Sequence, residues 1–144
     1  MGHSILVVDD DKEFLQTLAK SLSENGYEVF TAESGQDASR FLEERTNQFG
    51  GTANLNAIIS DWQMPNGTGL ELLSYVRKSP HRAITFLLMS GAVSREELAS
   101  AVALGPDGVV LKPFEIAVLC KKIEQAIQKR EEIELNKMLK GLKI

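Results

Sequence analysis

Short runs of apolar residues recur along the chain at regular intervals. A continuous run such as residues 5–8 (ILVV) is typical of a strand that is buried on both faces of a parallel sheet. Runs that are rich in apolar, β-branched or aromatic residues predict five strands, at residues 5–8, 27–31, 55–60, 84–89 and 108–111. Polar or turn-forming residues follow each run, so each predicted strand has a defined end.

Between these strands, apolar residues recur at spacings of three and four, which is typical of one face of an amphipathic helix. Phe14, Leu15, Leu18 and Leu22 form such a stripe, and Gly26 follows as a helix stop. Serine residues that precede a stripe are typical helix caps. The pattern predicts helices at residues 12–25, from a Ser34 cap through 42, at 70–76, at 96–104 behind a Ser94 cap, and from near Phe114 past Arg130.

Strict alternation of strand and helix predicts an α/β fold, a doubly wound, five-stranded parallel sheet with helices on both faces. One domain at residues 4–130 accounts for all of these elements, and residues 131–144 are predicted to be a helical extension or linker. The polar stretch at residues 45–54, which contains Gly50 and Gly51, is predicted to be an enlarged loop before the third strand.

Composition narrows the class of protein. The 144 residues include 16 Lys and Arg against 20 Asp and Glu, a net charge of −4. A mildly acidic domain is a poor non-specific ligand for nucleic acid, and no apolar run is long enough to span a bilayer. Cys120 is the one cysteine, so an intramolecular disulfide is impossible. We therefore expect a cytoplasmic protein that contacts neither nucleic acid nor a membrane directly.

Chemically active side chains follow four of the five predicted strands. They are Asp9, Asp10 and Asp11 after the first strand, Asp61, Trp62 and Gln63 after the third, Ser90 and Gly91 after the fourth, and Lys112 after the fifth. In a parallel sheet the carboxyl ends of the strands share one edge, and ligands bind outside that edge where the strand order reverses. A strand order of 2-1-3-4-5 would bring the first and third strands together there.

This group of side chains suits phosphoryl chemistry. Neighbouring carboxylates resist joint ionisation, and a hard divalent cation such as Mg²⁺ stabilises them by taking oxygen ligands. Lys112 adds a second positive charge, Ser90 offers a hydroxyl, and an aspartate can act as the nucleophile that forms an acyl phosphate. Each residue alone is more often a turn or helix-cap residue. The hypothesis depends on their occurrence together at four strand ends.

The motifs resemble those of the receiver domains of bacterial two-component response regulators. The matching segments lie in the right order and span nearly the whole chain, at residues 5–10, 58–65, 69–73, 88–91 and 111–114. The resemblance implies the flavodoxin-like strand order 2-1-3-4-5. It also implies a phosphoacceptor module that takes a phosphoryl group from a phosphohistidine and then changes conformation.

By this resemblance, Asp61 is the phosphoacceptor. Asp9 and Asp10 form an acidic pair that, with Asp61 and the backbone carbonyl of Gln63, holds Mg²⁺. Within the pair, the resemblance implies that Asp10 binds the metal directly and that Asp9 acts largely through water. Asp11 lies outside the pair and is expected to start the first helix, where negative charge is favourable.

The resemblance also assigns roles at the fourth and fifth strands. Ser90 and Lys112 are expected to contact the phosphoryl oxygens, and the Lys112–Pro113 peptide bond is expected to be cis. Gln63 and Ala92 occupy the two positions that tune phosphate lifetime in the family. Gln63 can contact an attacking water and Ala92 cannot, so we expect a phosphate lifetime at neither extreme.

One position and one short segment depart from the family pattern. Val109 stands where receivers usually have a Tyr or Phe that moves inward as the hydroxyl reaches the phosphate, and valine cannot make that rotation. Gly67, Thr68 and Gly69 replace a common pattern with Asp before the glycine, for which a loop difference without loss of chemistry is expected.

The expected partners are a sensor histidine kinase or a phosphotransfer protein, and an output domain or partner protein that binds the last two helices and the fifth strand. A second copy of the chain is a further candidate. The protein is not expected to be an enzyme for other molecules, because it catalyses only its own phosphorylation and dephosphorylation.

Two alternative functions remain open. A pseudo-receiver would bind partners without phosphorylation, an alternative that Val109 favours and the complete set of acidic, hydroxyl and lysine residues disfavours. A haloacid-dehalogenase-like phosphatase also uses an Asp nucleophile with Mg²⁺, and residues 9–11 contain its Asp-x-Asp pattern. That family then requires Thr or Val where Glu13 stands, and the chain leaves no room for a cap domain.

Overall fold

A parallel sheet forms the centre of the molecule in the computed structural model, which describes residues 2–50, 53–64 and 68–142. Its strand order is β2-β1-β3-β4-β5, and every neighbouring pair is parallel. The strands are β1 (Ser4–Val8), β2 (Glu28–Ala32), β3 (Ala57–Asp61), β4 (Thr85–Ser90) and β5 (Gly108–Leu111). The predicted order 2-1-3-4-5 is confirmed.

Five helices alternate with the strands. They are α1 (Lys12–Glu24), α2 (Gly35–Gln48), α3 (Gly69–Lys78), α4 (Arg95–Val102) and α5 (Ile116–Gly141). The apolar stripes of α1 and α5 pack on one face of the sheet, and those of α2, α3 and α4 pack on the other. Successive side chains of a strand point to opposite faces, so Leu6 joins the second of these cores and Val7 the first. The predicted doubly wound architecture is confirmed.

The prediction of a loop over residues 45–54 is wrong in its first part, because α2 continues to Gln48. Arg45 stays helical since its guanidinium lies over three aromatic rings, at 4.5 Å from that of Phe30, 5.5 Å from Phe41 and 4.8 Å from Phe49. It also donates hydrogen bonds to the carbonyl oxygens of residues 53 and 54, at 2.7 and 3.2 Å. A polar residue thereby fixes both the helix end and the chain that leads to β3.

Other boundaries shift by one or two residues. Strand β3 begins at Ala57 rather than at residue 55, and β4 runs one residue further than predicted, to Ser90. Predictions that concern Gly51, Pro65, Gly67 and residues 143–144 lie outside the described residues.

Helix α5 has 26 residues and continues without a break past Arg130 to Gly141. Residues 131–141 are therefore helical, in continuity with the predicted domain; the placement of a domain boundary at 130 stays a prediction. Although α5 is long, no helix in the described ranges combines the length and apolar character that crossing a bilayer requires.

At the amino edge of the sheet, a buried ion-pair network fixes α3 and α5 to the strands. Asp107 precedes β5 and accepts hydrogen bonds from Arg77 of α3 at 2.8 Å and from Arg130 of α5 at 2.8 and 3.0 Å. Arg77 also donates to the carbonyl oxygens of residues 82, 84 and 105. This network sets the direction in which α5 leaves the body of the fold.

Candidate functional site

Asp9 is the most deeply buried member of the acidic group at the carboxyl edge of the sheet, with 1% of its surface exposed. It follows β1, and its carboxylate accepts a hydrogen bond from the backbone N–H of Asp11 at 2.9 Å. Its other oxygen accepts from Nζ of Lys112 at 2.9 Å. Burial of a carboxylate requires such partners, so Asp9 is held in one orientation by contacts to α1 and β5.

Three carboxylates converge at this edge. One oxygen each from Asp9, Asp10 and Asp61 lies within 4.8 Å of the other two. The parallel pairing of β1 with β3, in which Val8 lies opposite Ser60, places the ends of the two strands at the same level. Asp10 is exposed and Asp61 is half-buried, so the group opens toward solvent from Asp9 outward. The sequence prediction brought these three residues to one edge, and the structure places them together.

The backbone around Asp61 fixes the orientation of its carboxylate. Its Oδ1 accepts a hydrogen bond from the N–H of Trp62 at 3.0 Å, while the buried Trp62 ring anchors the chain just beyond the strand. Gly69 at the start of α3 donates to the carbonyl oxygen of Trp62 at 3.0 Å. A Cβ on Gly69 would collide with the carbonyl oxygen of Asp61. A glycine is therefore required for α3 to approach this close to Asp61.

The electrostatics of Asp61 follow from its neighbours. Burial and the negative charge of Asp9 raise its pKa above the ordinary value of 3.8, and the positive charge of Lys112 opposes the rise. Negative charge is thus disfavoured at Asp61 as long as no additional cation is present. A raised pKa of this origin is compatible with an acidic group that could hold a metal ion.

Lys112 connects the fifth strand to the acidic group. Its backbone N–H donates to the carbonyl oxygen of Ser90 at 2.7 Å, and the Lys112–Pro113 peptide bond is cis. Its Nζ lies 2.9 Å from Asp9, 3.5 Å from Asp61 and 4.2 Å from the ring centre of Phe14. The ammonium is therefore directed between the two aspartates, with an aromatic ring on its other side.

The remaining predicted positions lie within or just after β3, β4 and β5. Ser90 is buried, and its hydroxyl donates a hydrogen bond to the carbonyl oxygen of Ala92 at 3.1 Å. Val109 pairs with Leu88 across the sheet and is partly buried against the core under α2, α3 and α4. Gln63 and Ala92 are exposed. The functional roles predicted for these four residues stay predictions.

The donor set suits a hard divalent cation. The donors are the carboxylate oxygens of Asp9, which is buried, and of Asp10 and Asp61, which are accessible to solvent. Carboxylate oxygens are ligands that Mg²⁺ prefers. Three aspartates face one lysine among the residues that the structure describes, so the group has an excess of negative charge. The residues present therefore fit a bound Mg²⁺.

Two contributors to the site escaped the sequence prediction. Phe14 was interpreted as part of the helix stripe, yet its ring contacts Lys112 and meets Phe114 edge-on at 6.2 Å between ring centres. Gly69 was noted only within a motif. A signal for Phe14 existed in its position three residues after Asp11, at the start of the helix that leaves the acidic group.

A flavodoxin-like sheet with an acidic group and a lysine at its carboxyl edge defines a class of signalling domain. The family model described as response regulator receiver domain matches residues 5–124, and the chain belongs to this family. It is therefore a CheY-like receiver domain of two-component signal transduction.

Individual relatives agree with this assignment. The chemotaxis protein CheY1 of Helicobacter pylori is 32% identical over 122 residues, which cover 83% of this chain and 93% of the relative. The structure of chemotaxis protein CheY4 of Vibrio cholerae is 31% identical with a TM-score of 0.75, covering 88% of this chain and 99% of that chain. NtrX of Brucella abortus is 26% identical with a TM-score of 0.81, and the similarity covers 96% of this chain but 30% of NtrX.

Proposed function

We propose that this protein is a phosphoacceptor switch, in which Asp61 takes a phosphoryl group from a phosphohistidine. The observation that carries the proposal is the position of Asp61, whose carboxylate lies beside two further aspartates and within 3.5 Å of the ammonium of Lys112. Positioning of the reactants, together with positive charge around the transferred phosphoryl group, supplies most of the catalysis in such reactions.

In the proposed step, a carboxylate oxygen of Asp61 attacks the phosphorus atom. An O–P bond forms, the N–P bond to the donor histidine breaks, and the imidazole leaves with the electron pair of that bond. A Mg²⁺ ion held by Asp9, Asp10, Asp61 and the backbone carbonyl of Gln63 would supply positive charge to the phosphoryl oxygens. Lys112 supplies further positive charge, and it remains paired with Asp9.

Ser90 is the residue that responds to the phosphoryl group. Its hydroxyl is bonded to the carbonyl oxygen of Ala92 at 3.1 Å, so contact with a phosphoryl oxygen requires rotation about its Cα–Cβ bond and loss of this hydrogen bond. In the proposed switch, that rotation moves the loop after β4. Val109 offers no aromatic ring to follow the movement, so the loop itself and α4 transmit the signal.

The proposed output surface comprises α4, β5 and α5. Large apolar side chains are exposed on all three elements, namely Leu98, Val102, Leu111 and Val118. Exposed apolar groups of this kind mark interaction surfaces. We propose that a sensor histidine kinase or phosphotransfer protein donates the phosphoryl group and that an output domain or partner protein binds this surface. The protein turns over no other molecule.

Phosphorylation is tested by incubation with acetyl phosphate and Mg²⁺, followed by intact mass spectrometry. We expect the gain of one acid-labile phosphoryl group in the wild type and in Asp11→Asn, and no gain in Asp61→Asn. Asp11→Asn is the matched control because it makes the same chemical change on the same sheet edge, at a helix cap.

The other two functions give different results in this experiment. A pseudo-receiver would gain no phosphoryl group from any donor. A haloacid-dehalogenase-like phosphatase would hydrolyse many equivalents of a phosphomonoester without a trapped adduct. Phosphorylation of Asp61→Asn to the wild-type extent would overturn the assignment of the acceptor.

A further inference from the structure

The end of α5 carries an apolar stripe that the described residues leave largely exposed to solvent. We call residues 131–142 the tail. Within it, Leu135, Met138 and Leu142 follow one another at helical spacings of three and four and are 52%, 64% and 60% exposed. Leu139 lies beside them and is also exposed. A stripe with this spacing is typical of a helix that packs against another helix.

A groove runs along the base of the tail. It has a volume of about 500 Å³ and separates the tail from the amino edge of the sheet. Its apolar wall on the sheet side includes Leu55, Pro80 and Ile84, and Leu135 and Met138 form part of its wall on the tail side. The stripe and the groove therefore share a surface, and an apolar helix seated there would cover both.

The direction of the tail is fixed. Arg130, at its base, donates two hydrogen bonds to Asp107 and contacts Glu134 at 3.5 Å. The groove is thus a feature of the folded domain. A helix that packs against the stripe near the base of the tail would also contact the groove, because Leu135 and Met138 belong to both.

The charges of the tail change sign along its length. Glu131, Glu132 and Glu134 lie near the base, while Lys137 and Lys140 lie toward the end. Two tails side by side in parallel would bring like charges to the same level. Two antiparallel tails would bring the acidic base of each to the level of the basic end of the other, which is the favourable arrangement.

We propose that a second copy of this chain occupies the groove, with the two tails antiparallel. In this arrangement Leu135 lies opposite Met138 of the partner subunit, and Leu142 of the partner subunit lies at the level of Glu131 and enters the groove. A parallel pair would direct both tail ends away from the groove and leave it empty. The contact is the same on both copies, as in a closed two-fold dimer.

This proposal does not depend on phosphorylation, because the groove lies at the amino edge of the sheet and the acidic group at the carboxyl edge. It is tested on the full chain by sedimentation equilibrium. We expect a dimer that Lys137→Glu combined with Lys140→Glu weakens by about tenfold or more, because all five charges of the tail then have one sign.

The matched control is Lys121→Glu combined with Lys122→Glu, which reverses two exposed charges on the same helix within the body of the fold. Its dimerisation should equal that of the wild type. A monomer at every concentration, or a dimer that the tail variant leaves unchanged, would overturn the proposal.

The antiparallel direction is tested by cross-linking in a Cys120→Ser background. Glu131→Cys and Leu142→Cys are prepared as separate proteins, mixed, and treated with a short bismaleimide. We expect cross-linked dimers that join residue 131 of one copy to residue 142 of the other, and little product from either protein alone. Efficient cross-linking of Glu131→Cys to itself would indicate a parallel pair and would contradict the proposal.

Discussion

The two edges of the sheet both bury an aspartate among charged groups, but they differ in the ratio of acids to bases. At the carboxyl edge, Asp9, Asp10 and Asp61 meet one lysine in the described part of the chain. At the amino edge, Asp107 lies between two arginines, Arg77 and Arg130. Carboxylates in excess over basic groups favour the binding of a cation. A carboxylate whose oxygens all accept hydrogen bonds has no acceptor capacity left for a ligand.

At the amino edge, both carboxylate oxygens of Asp107 are occupied by hydrogen-bond donors. One oxygen of Asp107 accepts from Arg77 and from the backbone N–H of Phe86, both at 2.8 Å. The other oxygen accepts two bonds from Arg130. The four donors come from three different elements, so Asp107 joins α3, β4 and α5. We conclude that the amino edge stabilises the fold, whereas the carboxyl edge leaves carboxylate oxygens available for a ligand.

The largest expected effect is that of Asp107→Asn. The amide keeps the shape of the side chain but removes its charge. The two largely buried guanidinium groups then lose the anion that they share, and Arg130 keeps only its 3.5 Å contact with Glu134. We expect the free energy of unfolding to fall by about 3–5 kcal/mol, measured by urea denaturation. The matched change Asp61→Asn at the other edge should cause no comparable loss, because it reduces an excess of negative charge. Equal losses for the two variants would remove the distinction between the edges.

The second prediction concerns Mg²⁺ at the carboxyl edge. An ion that binds only the folded state at 100 times its dissociation constant stabilises it by about 2.7 kcal/mol. We expect this gain in the wild type, and we expect it to be lost in Asp10→Asn, whose exposed carboxylate is a predicted ligand. The measurement is urea denaturation with Mg²⁺ or with a chelator. Full retention of the gain in Asp10→Asn would place the metal elsewhere.

The third prediction uses the pH dependence of stability. His81 lies in the loop before β4, is buried and contacts the hydroxyl of Thr46 at 3.3 Å. Burial lowers its pKa below 6.5, although the negative charge of Glu43 opposes this. The unfolded chain therefore binds the proton more strongly, and stability is lost as the pH falls from about 6.5 through the lower pKa of the folded state.

One titrating group contributes at most about 1.4 kcal/mol per pH unit to this slope. We expect His81→Gln to reduce the slope of unfolding free energy against pH below 6.5, measured by urea denaturation across pH. The contribution of Asp61 to the pH dependence of stability has the opposite sign. Because its pKa is raised in the folded state, ionised Asp61 lowers the free energy of unfolding at neutral pH, and this loss is relieved as the pH falls toward 3.8. An unchanged slope in His81→Gln would show that His81 is not the titrating group.

The fold and the acidic group were largely predictable from the sequence, for a physical reason. Strands buried on both faces are continuously apolar, as residues 5–8 show, and parallel strands must end at one edge, which brings Asp9 and Asp61 together. The role of Arg45 was not predictable, because its stabilisation depends on aromatic rings from β2 and α2 that meet only after folding. The same holds for Asp107, whose two arginines lie 30 and 23 residues away in the chain.

The smallest expected effect separates two adjacent aspartates within the carboxyl edge. Asp11 caps α1 by accepting a hydrogen bond from the backbone N–H of Phe14 at 3.1 Å, whereas Asp10 is exposed and belongs to the convergent carboxylates. We expect Asp11→Ala to lower the free energy of unfolding by about 1 kcal/mol and to leave Mg²⁺ affinity nearly unchanged. We expect Asp10→Ala to lower Mg²⁺ affinity strongly, as measured by calorimetry, and to change the free energy of unfolding little in the absence of metal. Equal effects of the two changes on Mg²⁺ binding would mean that the metal contacts a different pair of aspartates from the one proposed here.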